Sequence, residues 1–436
     1  MIYPKKPVIC LVCLGYVGLP LAFYFGKSGF KTSGYDINKK RINQLKKGFD
    51  SNGEFSRAEL KTTKVEYSSS PQVISKANFL IITAPTPVDQ ANQPDLSPLL
   101  SVCKTVGKYL KKNSLVVFES TVYPGLTEEI CLPLIEKISG LSCGHDWVIG
   151  YSPERINPGD KEHSVDKIIK IVAGMNQRTS NYIDKIYKKI VKAGTFKVSS
   201  IKIAEAAKII ENVQRDINIA LINELAKLFE KLNLNTYEVL EAAATKWNFL
   251  NFRPGLVGGH CIRVDPYYLL HQAETIGCHP QLISVARRIN DSMPNFCANQ
   301  IAKLLSKSGK VLAKSKILIM GATFKENVKD LRNSKIADLI KELQNFQIEV
   351  FIFEPNFEFK DLSSQFNLDE KHFFGQLDKN LKIKFDGICY AVDQRNFCQF
   401  DLKKLKTFCG PKAIFFDLKG RFVKDNNQKL FNYQSL

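Results

Sequence analysis

The chain has 436 residues, of which 44% are hydrophobic and 24% charged, and its formal net charge is +19 at pH 7. This balance excludes disordered and fibrous proteins, and the length predicts two or three globular domains. The excess charge would suit a nucleic-acid-binding protein, which is the rival interpretation from another functional class. However, the lysines occur singly or in pairs, without a long basic run or an aromatic ladder, so we expect a solvated surface and no nucleic-acid partner.

Cysteine usage indicates a reducing compartment. The eleven cysteines are odd in number and lack the repeated spacing of a disulfide framework, which predicts free thiols and a cytoplasmic protein. Cys10 and Cys13 form a C-x-x-C inside an apolar run, where buried small hydrophobes are expected rather than a redox pair. The uncharged stretch from Pro7 to Gly26 has the length of a signal peptide or membrane span. Its internal glycines and proline favour a nucleotide-binding turn instead, and no membrane partner is expected.

The chain opens with the order strand, glycine turn, helix. Val8–Leu14 is an apolar run of strand length, and GYVGLP leads from it into a helical segment, Leu19–Ser28. Asp36 ends the next predicted strand, 21 residues after Gly15, at the spacing where an acidic side chain binds a dinucleotide ribose. Cys13 replaces the first glycine of G-x-G-x-x-G and must adopt that glycine's turn. We predict NAD rather than NADP, since a carboxylate repels a 2′-phosphate.

Three further strands are predicted at 79–83, 115–119 and 147–151, each followed by a polar or proline-rich loop. Their loops read APTPV, STVYPG and SPERINPG. Ligands of doubly wound sheets lie at the carboxyl ends of the strands. This rule places the following residues around the cofactor and the reacting carbon, with ordinary turn residues as the alternative: Thr83, Thr86, Thr121, Glu154 and Arg155.

A long amphipathic helix is predicted from Ser200 to Asn233, without an internal glycine or proline. Lys208, Asn212 and Arg215 share one face at i, i+4 and i+7, and Glu205 extends the same stripe. Such a stripe is either a solvated face or the lining of a cleft. The length of the helix also favours a homodimer built around it.

A glycine-rich loop presents a cysteine in the sequence FRPGLVGGHCIRVDPYY. The glycines let the backbone approach a ligand and leave Cys261 at the end of the loop, where a thiolate could attack a substrate. Asp265 lies four residues later. The alternative is a structural buried cysteine.

A second series of apolar strands is predicted at 316–321, 348–353, 387–392 and 413–418, separated by segments of helical length. We interpret this series as a second nucleotide-binding half. The connection from Asn356 to Lys384 has no clear periodicity.

Motifs along the whole chain resemble those of the UDP-glucose/GDP-mannose dehydrogenase family, most of all the branch acting on UDP-N-acetylhexosamines. The departures are Cys13, where the family has glycine, and Arg263, where this branch commonly has a small residue. The matching segments are GYVGLP, APTP, STVYPG, YSPERINPGD, the Lys208/Asn212 helix, TKWNFLNFRPGL, GGHCIRVDPYYL, GATFKENVKDLRNS and DLKGR.

The resemblance implies an α/β fold with two Rossmann-like doubly wound domains joined by a central long-helix domain. It divides the chain into an NAD-binding domain at 1–199, a central domain at 200–308 with the dimer helix and the cysteine loop, and a UDP-sugar-binding domain at 309–436. Its activity is the four-electron oxidation of the sugar C6 alcohol by NAD through a Cys261 adduct, without a metal. The product would supply surface polysaccharide synthesis, as O-antigen or capsule.

The resemblance also implies roles for individual residues. The catalytic set is Cys261, Lys208, Asn212, Asp265, Glu154 and Thr121. The cofactor-binding set is Gly15, Tyr16, Val17, Gly18, Asp36, Arg41, Thr83, Thr86, Thr121 and Arg332. The substrate-binding set is Arg155, Ile156, Lys208, Asn212, Arg215, Arg253, Gly258, Phe324, Lys325 and Arg421.

Two alternatives within the family remain open. UDP-glucose or GDP-mannose could replace the amino sugar, and sequence does not decide between the GlcNAc and GalNAc epimers. A relative that binds sugar nucleotide without turnover is also conceivable if Cys13 prevents NAD binding.

Overall fold

The computed structural model of the protein describes residues 3–89, 91–156, 164–378, 381–425 and 430–436. The chain forms two compact units, the first made of Met1–Asn212 with Tyr267–His279 and the second of Val213–Pro266 with Pro280–Leu436. Each unit contains a largely parallel sheet with helices, so the predicted α/β class is confirmed. Part of the predicted YSPERINPGD loop, residues 157–160, lies outside the described residues.

The sheet of the first unit has the strand order β3-β2-β1-β4-β5-β6-β7-β8. The first six strands are parallel in the doubly wound order of dinucleotide-binding folds, and β7 then pairs antiparallel with β6. The strands are β1 Ile9–Val12, β2 Thr32–Tyr35, β3 Val65–Ser68, β4 Phe79–Ile82, β5 Ser114–Phe118, β6 Trp147–Tyr151, β7 Lys170–Gly174 and β8 Thr195–Lys197.

The sheet of the second unit repeats this order as β11-β10-β9-β12-β13-β14, with every pairing parallel. The predicted second doubly wound sheet is therefore confirmed. The strands are β9 Lys316–Met320, β10 Glu349–Phe353, β11 Phe373–Phe374, β12 Phe385–Tyr390, β13 Cys409–Asp417 and β14 Asn432–Ser435.

Helices cover the sheets and make up most of the region between them in the chain. The predicted helix from Ser200 to Asn233 is present as the 31-residue α7. The helices are α1 Gly18–Lys27, α2 Lys39–Lys46, α3 Arg57–Leu60, α4 Ser97–Tyr109, α5 Leu132–Ser139, α6 Gln177–Tyr187, α7 Ile201–Lys231, α8 Thr236–Ala243, α9 Asp265–Thr275, α10 Gln281–Asp291, α11 Met293–Lys307, α12 Ile336–Asn345, α13 Phe359–Phe366 and α14 Leu402–Lys406.

Apolar residues at strand and helix spacing build a separate core in each unit. In the first unit, Leu19, Ala22 and Phe23 of α1 pack against Ile9 and other residues of the sheet. In the second unit, α11 and α12 cover one face of the sheet, and a cluster rich in phenylalanine covers the other. Both sheets are thus buried on two faces, which explains why their central strands read as continuous apolar runs.

The uncharged stretch from Pro7 to Gly26 forms β1, the glycine turn and most of α1. Interpreting it as a membrane span is wrong, because it packs as a strand and a short helix inside the first core. Within the described ranges, every helix is too short or too polar to traverse a bilayer.

Candidate active site

The turn after β1 is organised by a cysteine in a glycine conformation. Cys13 has φ +78°, the left-handed region that the first glycine of the motif would occupy. Its carbonyl oxygen accepts a hydrogen bond from Thr83 Oγ1 at 2.8 Å. A Cβ built on Gly18 would lie 1.9 Å from that same oxygen. The turn therefore accepts a cysteine at its first position but requires glycine at its last.

The same turn fits a bound dinucleotide. The N-cap residue of α1, Val17, makes no side-chain hydrogen bond to the helix. The Leu19 N–H donates to the Gly15 carbonyl oxygen at 3.3 Å and Pro20 has no N–H, so the turn can offer a pyrophosphate only the N–H groups that precede Leu19. No described atom lies within 4 Å of a Cβ built on Gly15, which leaves the backbone open to close approach. Asp36 receives the Leu14 N–H and the Asn38 N–H at 2.8 Å each, and these bonds fix its carboxylate at the end of β2.

Arg41 and Thr83, both predicted to bind the cofactor, also hold the turn in place. Arg41 is buried, pairs with Asp50 at 2.6 Å and donates from Nε to the Leu14 carbonyl at 3.1 Å. Its Nη2 is buried without an acceptor among the described residues, which leaves one donor for a ligand. Thr83 Oγ1 donates to the Val12 and Cys13 carbonyl oxygens, so Thr83 shapes the loop.

The loops after β4, β5 and β6 carry the other predicted residues of the first unit. Thr86 and Thr121 are half-buried in these loops, as are Tyr16 and Val17 in the glycine turn. Glu154 is buried, and its Oε1 accepts the N–H groups of Arg155 and Ile156. Arg155 in turn pairs with Glu211 at 2.8 Å.

The polar stripe at the start of α7 is buried, so interpreting it as a solvated face is wrong there. Glu205 has no exposed surface, while Lys208 is 8% and Asn212 6% exposed. Glu205 accepts the Gly125 N–H at 2.6 Å and the Thr127 N–H at 3.0 Å, which ties α7 to the STVYPG loop. Lys208 has no hydrogen-bond or ion-pair partner within the described part of the chain. A lysine side chain that is largely buried without an acceptor suits a ligand site.

Arg215 differs from the rest of the stripe because it is exposed, whereas the next residue, Asp216, is buried. Asp216 pairs with Arg287 of α10 at 2.5 Å and accepts from Asn290 at 2.7 Å. The buried polar face of α7 thus continues through Asp216 rather than through Arg215.

In the second unit, the glycine-rich loop that carries Cys261 packs tightly on the GATFKENVKDLRNS segment. A Cβ on Gly259 would lie 2.7 Å from the Phe324 ring, and a Cβ on Gly258 would lie 2.7 Å from the Asn333 carbonyl oxygen. Cys261 is exposed, and its carbonyl oxygen accepts from the Val264 and Asp265 N–H groups at 2.9 Å. The alternative interpretation of Cys261 as a buried structural cysteine is therefore wrong.

His260, which the sequence did not single out, holds this contact. Asn333 Nδ2 lies 3.1 Å from His260 Nδ1, and His260 Nε2 lies 3.3 Å from Asp330 Oδ2. Arg332 donates to both carboxylate oxygens of Asp330, from Nε to Oδ1 at 2.9 Å and from Nη2 to Oδ2 at 2.7 Å. Burial alone would raise the pKa of Asp330, yet the bonds from His260 and Arg332 hold it well below its usual range. His260 lies some 70 residues from Asp330 and Asn333 in the chain, so no local sequence motif indicated these contacts.

Three further motifs that carry cationic side chains are linked to one another in the second unit. The Arg253 guanidinium lies 5.7 Å from the centre of the Tyr237 ring, and Tyr237 donates to the Leu418 carbonyl at 2.9 Å. Gly420, with φ +64°, allows the DLKGR loop to pass over that ring. Lys419 then joins this loop to Glu326 of the GATFKEN segment at 2.7 Å. The exposed Arg421 and half-buried Lys325 belong to these two linked loops.

The predicted residues divide between the two units. The first unit holds Gly15, Asp36, Thr121, Glu154, Lys208 and Asn212, and the second holds Cys261, Asp265, Phe324, Lys325, Arg332 and Arg421. Within the described residues, no group of three or more histidine, cysteine or carboxylate side chains is arranged to hold a metal ion.

Family models match the chain in three consecutive segments. Residues 7–191 match the NAD binding domain of the UDP-glucose/GDP-mannose dehydrogenase family, residues 202–292 its central domain, and residues 318–424 its UDP binding domain.

Curated proteins and a solved structure resemble the chain over almost its full length. Protein CapL of Staphylococcus aureus is 48% identical, with 96% of each chain covered. A UDP-N-acetyl-D-glucosamine 6-dehydrogenase of Salmonella typhi is 46% identical, with 94% of this chain and 95% of that protein covered. The structure of a UDP-D-ManNAc dehydrogenase from Pyrococcus horikoshii superposes with a TM-score of 0.87 at 30% identity and covers 98% of both chains.

Proposed function

We propose, from the premise that the chain belongs to the UDP-glucose/GDP-mannose dehydrogenase family, that its substrate is a UDP-N-acetylhexosamine, UDP-GlcNAc or UDP-GalNAc. Membership makes the protein an NAD-dependent nucleotide-sugar 6-dehydrogenase. The name of the Salmonella typhi relative supports UDP-GlcNAc. The Pyrococcus horikoshii structure is named for another amino sugar, UDP-ManNAc, so it supports an N-acetylhexosamine without separating the GlcNAc and GalNAc epimers. UDP-glucose and GDP-mannose are the alternatives.

In the proposed reaction, the C6 alcohol becomes a carboxylate in two oxidations. NAD, when bound to the glycine turn, would supply the hydride acceptor for each oxidation, so two NAD molecules would be used for each sugar. The Cys261 sulfur adds to the intermediate aldehyde carbon and forms a thiohemiacetal, which the second oxidation turns into a thioester. Water then adds to the thioester carbon, the carbon–sulfur bond breaks, and the uronate leaves. The exposed position of Cys261 at the end of its glycine loop is the single observation that carries this mechanism.

The remaining catalytic roles follow from the charge and burial of each group. Lys208, buried without an acceptor among the described residues, would stabilise negative charge on the C6 oxygen. Asn212 would add a neutral donor, and the buried Asp265 would position the network. Glu154 would accept the proton of the hydrolytic water. Thr121 would lie between cofactor and sugar.

Binding roles are proposed for the remaining predicted residues. Arginines suit a diphosphate because two guanidinium donors can meet two oxygens at once. The sugar nucleotide would contact Arg155, Ile156, Arg215, Arg253, Gly258, Phe324, Lys325 and Arg421. NAD would contact Gly15, Tyr16, Val17, Gly18, Asp36, Arg41, Thr83, Thr86 and Arg332.

The three-domain division at 1–199, 200–308 and 309–436 is proposed on the ranges that the family models match. The product would be consumed in surface polysaccharide synthesis, in the cytoplasm, because glycosyl transfer uses nucleotide-activated sugars.

A homodimer is proposed because several large apolar side chains of the second unit are exposed. Leu221 and Leu228 of α7 lie seven residues apart, on one face, and are about half exposed. Trp247 is 92% exposed, and Leu250 and Leu282 are exposed as well. Monomeric proteins rarely leave apolar patches of this kind uncovered.

The substrate assignment is tested by NAD reduction with UDP-GlcNAc, UDP-GalNAc, UDP-glucose and GDP-mannose at equal concentrations. The proposal predicts that one UDP-N-acetylhexosamine gives the largest kcat/KM. Turnover of UDP-glucose alone would overturn the branch assignment but not family membership.

A further inference from the structure

Four ionisable side chains are buried together in the first unit, beside the loop that carries Glu154. Lys170 Nζ lies 2.6 Å from Glu119 Oε2, 3.6 Å from Glu154 Oε2 and 3.2 Å from the Pro153 carbonyl oxygen. Tyr187 donates to the other oxygen of Glu119. Glu119 follows β5, Glu154 follows β6, Lys170 begins β7 and Tyr187 ends α6, so four elements supply one cluster.

The cluster contains more negative than positive charge. Glu119, Lys170 and Glu154 are only 2%, 5% and 7% exposed, and one ammonium serves two carboxylates. Burial raises the pKa of Glu119 to about 7, although Lys170 opposes this shift. Burial favours the neutral amine of Lys170, yet the two carboxylates raise its pKa above the ordinary value. If the buried ion pair of Lys170 and Glu119 served only stability, it would not require Glu154 as a second carboxylate.

One oxygen of Glu154 makes no hydrogen bond. Oε1 accepts two backbone N–H groups, whereas Oε2 is buried, has no hydrogen-bond partner among the described residues and lies 3.6 Å from the Lys170 ammonium. A cavity of about 10 Å³ is lined by Glu154, Arg155, Lys170 and apolar side chains. That volume is close to the ~10–15 Å³ that one water molecule needs.

We propose that Lys170, backed by Glu119, is a positioning residue that orients Glu154 as the base for thioester hydrolysis. The inference rests on the proposed Cys261 mechanism. In the step concerned, a water oxygen attacks the thioester carbon and its proton passes to Glu154 Oε2. The carbon–sulfur bond then breaks, and its electron pair returns to the Cys261 sulfur as a thiolate.

The charge arrangement predicts opposite effects for two substitutions. Among the described residues, the charged and titratable groups facing Glu154 are Glu119 from the β5 end, Lys170 from β7 and Tyr187 from α6, while Arg155 is paired with Glu211. Lys170→Met removes the cation, so Glu154 should hold its proton to higher pH. Glu119→Gln removes the competing carboxylate and leaves Lys170 to Glu154, so the proton should be lost at lower pH.

The experiment measures uronate formation in a single turnover from pH 5 to 9 for the full-length enzyme. The acidic limb of the rate profile should move up by about 1–3 pH units in Lys170→Met and down in Glu119→Gln. Lys170→Arg should restore the wild-type profile. Intact-protein mass spectrometry should show the acyl adduct accumulating in Lys170→Met at pH 6. Lys188→Met, an exposed lysine of the same region paired with Asp184, is the matched control and should leave the profile unchanged.

The inference would be overturned if the acidic limb of the rate profile stayed in place in both Lys170→Met and Glu119→Gln, or moved in the same direction in both. Thermal unfolding identifies a variant that does not fold. If Lys170→Met does not fold, the pH profiles of Glu119→Gln and Lys170→Arg test the inference without it. Failure of the proposed Cys261 mechanism can be distinguished from failure of this inference, because Cys261→Ser would still form uronate only if the mechanism itself were wrong.

Discussion

The Cys13 carbonyl oxygen occupies the space that a side chain on Gly18 would need, 1.9 Å from the position of its Cβ. The two ends of the glycine turn are therefore in direct contact. This contact explains why the turn keeps its last glycine and yet tolerates a cysteine at its first position, where only a positive φ is demanded. It also keeps the N-terminus of α1 close to the end of β1.

Gly18→Ala should abolish measurable NAD binding, because a methyl group cannot fit against the carbonyl backbone without moving the turn. Calorimetric titration with NAD tests this. Cys13→Gly is the matched variant: it removes a left-handed non-glycine residue, a strain of about 1–2 kcal/mol, and should bind NAD within a few-fold of wild type. Equal NAD affinity in Gly18→Ala and wild type would show that the turn is not the binding site.

Glu205→Gln should change how stability depends on pH. Burial raises the pKa of Glu205 to about 7 from an ordinary 4.5, so the folded state holds a proton that the unfolded state has lost between these values. Its stabilising contribution is complete below pH 4.5 and is lost as the pH rises to 7. Between pH 4.5 and 8, the free energy of unfolding of Glu205→Gln should gain up to about 3 kcal/mol relative to wild type. Denaturant titrations at several pH values measure this difference, and parallel curves would contradict the assignment.

Lys208→Met should lower kcat by about 10²–10⁴-fold while leaving the NAD dissociation constant nearly unchanged, since the ammonium is assigned to the reacting oxygen. Steady-state kinetics and NAD titration on the same preparation separate the two effects. Lys202→Met on the same helix is the control, because Lys202 is exposed and paired with Glu129. If Lys208→Met and Lys202→Met lose activity equally, the loss comes from damage to the helix and not from removal of a catalytic ammonium.

Leu221→Glu should convert a dimer to a monomer at micromolar concentration by placing a charge in the proposed apolar interface. Light scattering gives the mass directly. Val311→Glu, at another exposed apolar position, should leave the mass unchanged. A wild-type protein that is already monomeric at these concentrations would rule out the homodimer.

Sequence predicted the central strands well because buried parallel strands are continuous apolar runs, as in FLII of β4 and KILIM of β9. It missed β3, β8 and β14, whose sequences VEYS, TFK and NYQS are short and polar because they lie at sheet edges. It also missed β7, which begins with the buried Lys170. A lysine is buried only when a distant partner compensates it, and Glu119 lies 51 residues away.

The same reasoning applies to the candidate site. Local motifs identified the glycine turn, Asp36, Lys208 and Cys261, because each is marked by its immediate neighbours in the sequence. The supporting residues His260 with Asp330, and Glu119 with Lys170, were not identified. Their roles depend on long-range pairing, which a single sequence does not reveal.

The central claim, covalent catalysis by Cys261, is tested most directly by counting products in Cys261→Ser. Wild-type enzyme should produce two NADH and one uronate per UDP-sugar consumed. The serine variant should bind NAD normally but form no uronate, and no acyl adduct should appear on the protein by mass spectrometry. Uronate formation by Cys261→Ser at the wild-type rate, with two NADH per sugar, would contradict the mechanism.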